Sequence, residues 1–148
     1  MATTADRSVL LRPGLLPATD RGGGIRTTPA VTGRNSRQML NGVTVLEPGA
    51  VVPPHIHNCE ESVLVLSGRG CAHMNGEERA VGPGDVTWIP AGAPHFFRNP
   101  SVAEPLALFW TYASVDATRT IVATGAITRI DQEHASADRT PPLAGSPG

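Results

Sequence analysis

Two segments bounded by glycine constrain this chain more than any other feature of its sequence. The first has the pattern Gly-x5-His-x-His-x3-Glu-x6-Gly and covers residues 49–68. The second has the pattern Gly-x5-Pro-x-Gly-x2-His-x3-Asn and covers residues 84–99. Glycine and proline at such short intervals end strands and turn the chain, so both segments favour short strands joined by tight turns.

The same alternation of strands and turns continues through most of the chain. From Met39 onwards, apolar and β-branched residues form short runs separated by turn residues, a pattern typical of an all-β sandwich or barrel. Asn75-Gly76 is the strongest hairpin signal, since both residues tolerate positive φ. The runs predict strands at 43–46, 62–66, 70–74, 77–81, 86–89, 95–98, 106–112 and 119–124, and a short helix within 128–137.

A length of 148 residues with 40% apolar content fits one compact domain. Residues 1–37 have no sustained helical period and are predicted to be an irregular arm. This arm is either a mobile tail, a strand added to the sheet edge, or a cover over the barrel mouth with Arg21 or Arg26 facing an anionic ligand. We expect the β-barrel at 38–130, and a short helix or loop with a disordered tail at 131–148.

Composition excludes several classes of function. The net charge is -1 with no strongly basic stretch, so we expect no nucleic-acid partner. No apolar run approaches the roughly 18 residues that span a bilayer, and only three consecutive apolar residues precede Arg12, too few for a secretion signal. We therefore expect a cytoplasmic protein with free thiols at its two cysteines. The chain has no lysine, which removes Schiff-base chemistry.

Four side chains in the two segments have the chemistry and spacing of metal ligands. His55 and His57 alternate along one strand, so both imidazoles lie on one face. If residues 58–60 close a hairpin, Glu61 returns opposite them, and His95 follows a turn rich in proline and glycine. A lone histidine would more simply be a hydrogen-bonded strand residue. Three imidazoles and one carboxylate predict one divalent transition metal ion (Fe, Mn, Ni, Cu or Zn) with open coordination positions.

Both segments resemble the two motifs of the cupin superfamily, and the resemblance covers about residues 40–112. The matching positions are Gly49, His55, His57, Glu61, Gly68, Gly84, Pro90, Gly92, His95 and Asn99. The resemblance implies a double-stranded β-helix, or jelly-roll barrel, with the metal held by the three histidines and Glu61. It also implies a homodimer with exchanged edge strands.

Other residues are candidates for the pocket and for proton transfer. Tyr112, at the end of an apolar strand, is either a proton donor or acceptor near the metal or a core residue. A second role for Glu61 is to loosen from the metal and take a proton. His73 and His134 lie in no matching context and are expected at the surface. The predicted pocket lining is apolar or aromatic: Val63, Val65, Phe97, Leu108 and Trp110.

This lining argues against a phosphorylated sugar and favours an aromatic, phenolic or polyketide-like substrate. Our first hypothesis is a metal-dependent enzyme of the dioxygenase or cyclase type, in which the metal is a Lewis acid or an O₂ site. A sugar isomerase or epimerase would need a basic or polar pocket. A non-catalytic protein that binds a small ligand is favoured if the protein saturates the metal. The fold does not select among these functions.

Overall fold

The computed structural model describes residues 7–134 in full and residues 139–140 by their backbone. The described chain is almost entirely β-structure, with a 3₁₀ turn at Pro13–Leu15 and one short helix, α1, at Ile130–Glu133. No helix in this part of the chain has the length and apolarity needed to cross a membrane. The strands are β1 (Ala18–Asp20), β2 (Ile25–Pro29), β3 (Leu40–Leu46), β4 (His55–His57), β5 (Glu61–Ser67), β6 (Gly70–Met74), β7 (Glu77–Val81), β8 (Val86–Ile89), β9 (His95–Arg98), β10 (Leu106–Tyr112), β11 (Thr118–Ile121), β12 (Ile127–Arg129) and β13 (Arg139–Thr140).

The strands form two antiparallel sheets. The seven-stranded sheet has the order β13-β1-β2-β3-β10-β5-β8, and the six-stranded sheet has the order β12-β11-β4-β9-β6-β7. Buried residues from both sheets form one apolar core. The all-β double-sheet barrel predicted from the turn pattern is therefore confirmed.

The N-terminal arm contributes two strands to the larger sheet. β2 pairs with β3 through five residues of each strand, and β1 pairs with β2. The turn between β1 and β2 is closed by a hydrogen bond from the Gly22 N–H to Oδ1 of Asp20 (2.9 Å) and by one from the Arg21 N–H to the Ile25 carbonyl (2.9 Å). These hydrogen bonds fix the backbone position of Arg21.

Most of the predicted strands occur where the sequence pattern indicates them. The Asn75-Gly76 hairpin is confirmed, with φ values of 56° and 73°. The strand predicted at 119–124 is shorter, since the chain turns after Ile121. The predicted helix is a single turn at Ile130–Glu133. Residues 135–137 of that predicted helix, and residues 138 and 141–148 of the predicted disordered tail, lie outside the described residues.

Candidate metal centre

Three histidines come together on the smaller sheet. His55 and His57 occupy alternate positions on β4, so their side chains share the inward face. His95 begins β9 and lies directly opposite His55 in the antiparallel pair. All three side chains are buried, with exposed fractions of 3–4%. The sheet register therefore brings together residues that are 40 positions apart in sequence.

Each imidazole is oriented by its Nδ1 atom, which donates a hydrogen bond to a backbone carbonyl. The acceptors are the carbonyl oxygens of Pro53, Thr118 and Ala93, at 2.7, 2.9 and 2.9 Å for His55, His57 and His95. A carbonyl oxygen only accepts, so Nδ1 carries a proton in each ring and Nε2 is the nitrogen left available to a metal. One ring nitrogen from each histidine lies within 4.8 Å of the others.

Glu61 reaches the histidines from the other sheet, and the hairpin predicted at residues 58–60 is wrong. β4 pairs with β9 and β11, whereas β5, which begins at Glu61, pairs with β10 and β8. Residues 58–60 therefore cross from one sheet to the other. Oε1 of Glu61 lies 3.0 Å from Nε2 of His95 and 3.6 Å from Nε2 of His57, across the barrel interior.

Burial controls the charge of these groups. Burial lowers the pKa of His57 to about 4, although the charge of Glu61 partly offsets this effect. Burial, followed by repulsion from Arg119, also lowers the pKa of His55 well below its ordinary value. Burial alone would raise the pKa of Glu61, but the hydrogen bond from His95 and the charges around it lower the pKa overall. These shifts favour neutral imidazoles at His55 and His57 and an ionised carboxylate at Glu61, the forms that bind metals.

The donor set fits a divalent transition metal ion. Nε2 of His57 is buried and has no hydrogen-bond partner, although an unpartnered buried polar atom is costly. A cation among the converging nitrogens and the Glu61 carboxylate would satisfy this atom. Imidazole and carboxylate donors together suit first-row transition metals. The backbone carbonyls that hold each Nδ1 proton fix the ring orientation that such a site needs.

Comparison with known proteins agrees with the fold. The family model of the Cupin domain matches residues 42–112. The fold is similar to that of the polyketide cyclase RemF from Streptomyces resistomycificus, with a TM-score of 0.68 and 18% identity over 93% of this chain and 91% of that chain. The chain belongs to the cupin superfamily.

Two further relatives share more sequence with this cupin over shorter stretches. TT1209 from Thermus thermophilus is 32% identical, with a TM-score of 0.54, over 61% of this chain and 83% of that chain. An uncharacterized protein from Aquifex aeolicus (strain VF5) is 40% identical over 58 residues, which are 38% of this chain. That match spans 48% of the Aquifex protein, so this cupin matches about half of its length.

Tyr112 lies beside the histidine cluster of this cupin. It pairs with Glu61 in the β10–β5 register, and its ring centroid is 4.7 Å from that of His57. Burial, followed by the charge of Glu61 among other causes, raises the pKa of Tyr112 well above its ordinary value. The phenol therefore stays protonated, which suits a proton donor better than an acceptor.

A cavity of about 50 Å³ adjoins the histidine cluster. Four of the five predicted pocket residues line it: Val63, Phe97, Leu108 and Trp110. Val65 is buried but is not among the lining residues, so its predicted place in the pocket is corrected. Val65 shares the inward face with Val63, but it lies four positions from Glu61, or about 13 Å along the strand. Alternation predicts which face a side chain occupies and does not give its depth in the barrel.

The prediction of a cavity with few charged groups is wrong. Arg21 and Arg119 both line it. Glu133, on α1, pairs with Nη2 of Arg21 at 3.0 Å and with Nε of Arg119 at 3.2 Å. Arg26 is not among the lining residues. The sequence offers no sign that Arg119 lies beside His57. The pairing of β4 with β11 brings these two residues together, and they are far apart in the chain.

Polar contacts also hold the aromatic wall of the cavity. Nε1 of Trp110 donates a hydrogen bond to Oγ1 of Thr44 (2.8 Å), and that hydroxyl also bonds Oγ1 of Thr27 (2.9 Å). The His134 ring stacks on Trp110 with centroids 5.2 Å apart and is buried, so its predicted surface location is wrong. His73 is half-buried and stacks on Phe96. The cavity thus has one aromatic wall and one charged side.

Proposed function

We propose that this cupin is a metal-dependent enzyme that acts on a small organic substrate. The proposed ligands of the divalent transition metal are His55, His57, Glu61 and His95. The observation that carries the proposal is that His55, His95 and Glu61 line a cavity while their donor atoms converge on one another. A substrate in that cavity would lie beside the metal ligands. A non-catalytic protein that binds a small ligand would need the same cavity, and the turnover test below separates it from an enzyme.

A bound divalent transition metal supplies a Lewis acid for a hydroxyl, enolate or carboxylate, or a site for O₂. The protein's own groups provide proton transfer and exclusion of water. Tyr112 holds a proton next to Glu61 and can donate it to an oxygen of the substrate, since burial keeps the phenol protonated. Glu61 is an ionised carboxylate that can accept a proton when it loosens from the metal. Phe97 and Trp110 keep the cavity wall dry.

The wall supports an aromatic, phenolic or polyketide-like substrate. Phe97, Leu108 and Trp110 offer apolar and ring contacts on one side of the cavity. A polyketide cyclase shares this fold, as does salicylate 1,2-dioxygenase from Pseudoaminobacter salicylatoxidans (TM-score 0.58). We therefore propose a cyclase or dioxygenase type of reaction.

The cavity has to enlarge to admit such a substrate. Its volume of about 50 Å³ is smaller than the roughly 150 Å³ that holds benzene, so a ring requires the arm or α1 to shift.

A sugar isomerase or epimerase is the second candidate, because one observation favours it. Arg21 and Arg119 give the cavity the basic side that a polar or acidic sugar would need. The isomerase and the cyclase or dioxygenase would use the same metal. In the isomerase the substrate would bind the arginine side of the cavity, and in the other two it would bind the aromatic wall.

The test uses the protein loaded separately with Fe, Mn, Ni, Cu and Zn. Each form is incubated with a panel of phenols, 1,3-dicarbonyl compounds and aldoses. The products are identified by liquid chromatography with mass spectrometry, because an isomerised aldose keeps its mass and is recognised by its retention time. We expect turnover of a phenol or dicarbonyl compound by at least one metal form. Turnover of an aldose alone would favour the isomerase. If every form binds its metal and leaves the whole panel unchanged, the enzymatic proposal fails.

A Tyr112→Phe variant then tests the proton donor. Phenylalanine keeps the ring packed against His57 and removes only the hydroxyl. We expect the metal content to stay unchanged and the turnover number to fall by about 10²–10⁴, the usual contribution of a positioned acid or base. An unchanged turnover number would assign Tyr112 to packing.

A further inference from the structure

Arg119 is a buried cation beside the metal ligands. On β11 it lies directly opposite His57 of β4, and opposed residues of an antiparallel pair project on the same face. Its side chain is 8% exposed, and it lines the cavity. Nε of Arg119 lies 3.2 Å from Oε1 of Glu133, in an ion pair whose geometry is poor for a hydrogen bond. A buried guanidinium group whose Nε donor is poorly satisfied favours a further acceptor.

The charges around this cavity do not balance. Arg21 and Arg119 bring two guanidinium groups, and in the described part of the chain both pair with one carboxylate, that of Glu133. Glu61, the second carboxylate of the cavity, is one of the proposed metal ligands, and a divalent cation held there would more than neutralise it. With the metal bound, the arginines are left with an excess of positive charge. Glu133 is also shared with the Thr128 hydroxyl, which donates to its Oε1 at 2.7 Å. The carboxylate is therefore the internal counter-ion of a site that has capacity for a second anion.

We propose that Arg119 and Arg21 bind an anionic group of the substrate, a carboxylate or a phenolate, and that Glu133 occupies this position until the anion displaces it. The proposal rests on the proposed function, because the cavity that would receive the anion is the one at the metal ligands. It defines the substrate class as an organic anion, with its charged group at the arginines and its apolar part against Phe97 and Trp110.

The chemistry of the two sides of the cavity supports this class. A guanidinium group presents donors in a planar fork that matches the two oxygens of a carboxylate. The opposite wall is formed by Phe97, Leu108 and Trp110, which would desolvate inorganic phosphate or sulfate without compensating contacts. An organic anion uses both sides at once.

Displacement of Glu133 also gives a larger substrate a way in. The ion pair of Arg21 with Glu133 connects the β1–β2 hairpin to α1 across the edge of the cavity. An anion that takes over the arginines removes one of the contacts that hold α1 at this edge. The buried Ile130 and the stacking of His134 on Trp110 also hold it. The cavity volume of about 50 Å³ then describes the closed state, in which Glu133 is paired with both arginines.

The experiment compares benzoate with its neutral analogue benzamide by isothermal titration of the Zn-loaded protein. We expect benzoate to bind at least tenfold more tightly than benzamide, since hydrogen bonds to charged groups exceed neutral ones by about this much. Arg119→Gln should reduce this preference by at least tenfold. Glu133→Gln should increase benzoate affinity severalfold, because the competing carboxylate is gone. Arg79→Gln, at a side chain 69% exposed, is the control and should change nothing.

The opposite signs separate binding from stability, since a merely structural ion cluster would be weakened by both substitutions. Zinc content is measured for every variant, and circular dichroism reports folding. If Arg119→Gln does not fold, Arg21→Gln replaces it, because that side chain is 22% exposed. Failure of the unmodified protein to bind zinc or any of the other four metals would contradict the proposed function. With zinc bound, an equal affinity for benzoate and benzamide, or tighter binding of inorganic phosphate than of benzoate, would overturn the anion-site proposal alone.

Discussion

The two ends of strand β10 differ in the polarity of the residues buried around them. Leu106 begins the strand, pairs with Leu46, and both side chains have no exposed surface. Tyr112 ends the strand six positions later, about 20 Å away, and pairs with Glu61 beside the histidines. One strand with a single alternating pattern therefore runs from a dry apolar end to a buried polar end.

The physical costs of the two ends are opposite. At the Leu106 end the buried side chains are mainly apolar, and the buried Asn99 amide donates to the carbonyls of Leu46 and Glu104. Burial there stabilises the fold by removing carbon surface from water.

At the Tyr112 end Glu61 and Arg119 are buried charges, and desolvation works against both of them. Neighbouring charges and hydrogen bonds outweigh this cost, since the pKa of Glu61 is lowered and that of Arg119 is raised overall. We expect the apolar end to supply most of the free energy of folding, because buried ion pairs contribute little net stability.

The largest effect on stability is expected at the apolar end. Leu106→Ala removes a fully buried side chain and should lower the free energy of unfolding by about 2–5 kcal/mol. The measurement is urea denaturation of the metal-free protein. Leu66→Ala, at a side chain 45% exposed on neighbouring β5, is the control and should cost much less. An equal loss in the two variants would contradict the division between the ends.

A second test at the same end concerns the close approach of the backbone at Gly68. A Cβ atom there would lie 2.1 Å from the Pro105 carbonyl oxygen, whereas a Cβ at Gly76 meets nothing within 4 Å. Both glycines have positive φ, at 81° and 73°, so the backbone strain of alanine is similar at the two sites. We expect Gly68→Ala to cost about 1–3 kcal/mol more than Gly76→Ala in thermal unfolding. Equal melting temperatures of the two variants would contradict this prediction, because they would show that the backbone at Pro105 can move away from the added methyl group.

The smallest effect is expected midway along the barrel. Thr44→Val removes the hydroxyl that accepts from Nε1 of Trp110 and leaves that donor buried without its partner. Threonine and valine have the same shape, so the cost should lie in the lower part of the usual range, about 1–2 kcal/mol. Denaturation followed by tryptophan fluorescence measures it. If Thr44→Val lowered the free energy of unfolding as much as Leu106→Ala does, the hydrogen bonds of Thr44 would contribute as much to stability as the apolar end.

Local sequence spacing predicted the parts of the site that depend on strand alternation. The spacing of His55 and His57 puts both rings on one face, and the proline-glycine turn before His95 begins β9 at that residue. Alternation along β10 likewise placed Leu108, Trp110 and Tyr112 on the buried face. These features depend on residues close together in the chain, so a single sequence contains them.

Features that depend on pairing between distant strands were missed. Glu61 was expected across a hairpin, but the chain crosses to the other sheet, and no spacing distinguishes these two paths. The Arg119–Glu133–Arg21 cluster joins β11, α1 and the β1–β2 turn, which have no shared motif. An arginine on a strand is ordinarily a surface residue, so its burial became visible only with the β4–β11 register.

The metal content of the protein and of one ligand variant tests the central claim most directly. His95→Ala removes one of four proposed ligands, while His73→Ala removes a histidine that stacks on Phe96 outside the cluster. A four-ligand zinc site is worth about 10–16 kcal/mol, so loss of one ligand should weaken zinc binding on the order of 100-fold or more. We expect about one zinc ion per chain, measured by mass spectrometry with a competing chelator, in the unmodified protein and in His73→Ala, and a large loss of affinity in His95→Ala. Equal zinc affinity in all three proteins would contradict a metal centre at the polar end of the barrel.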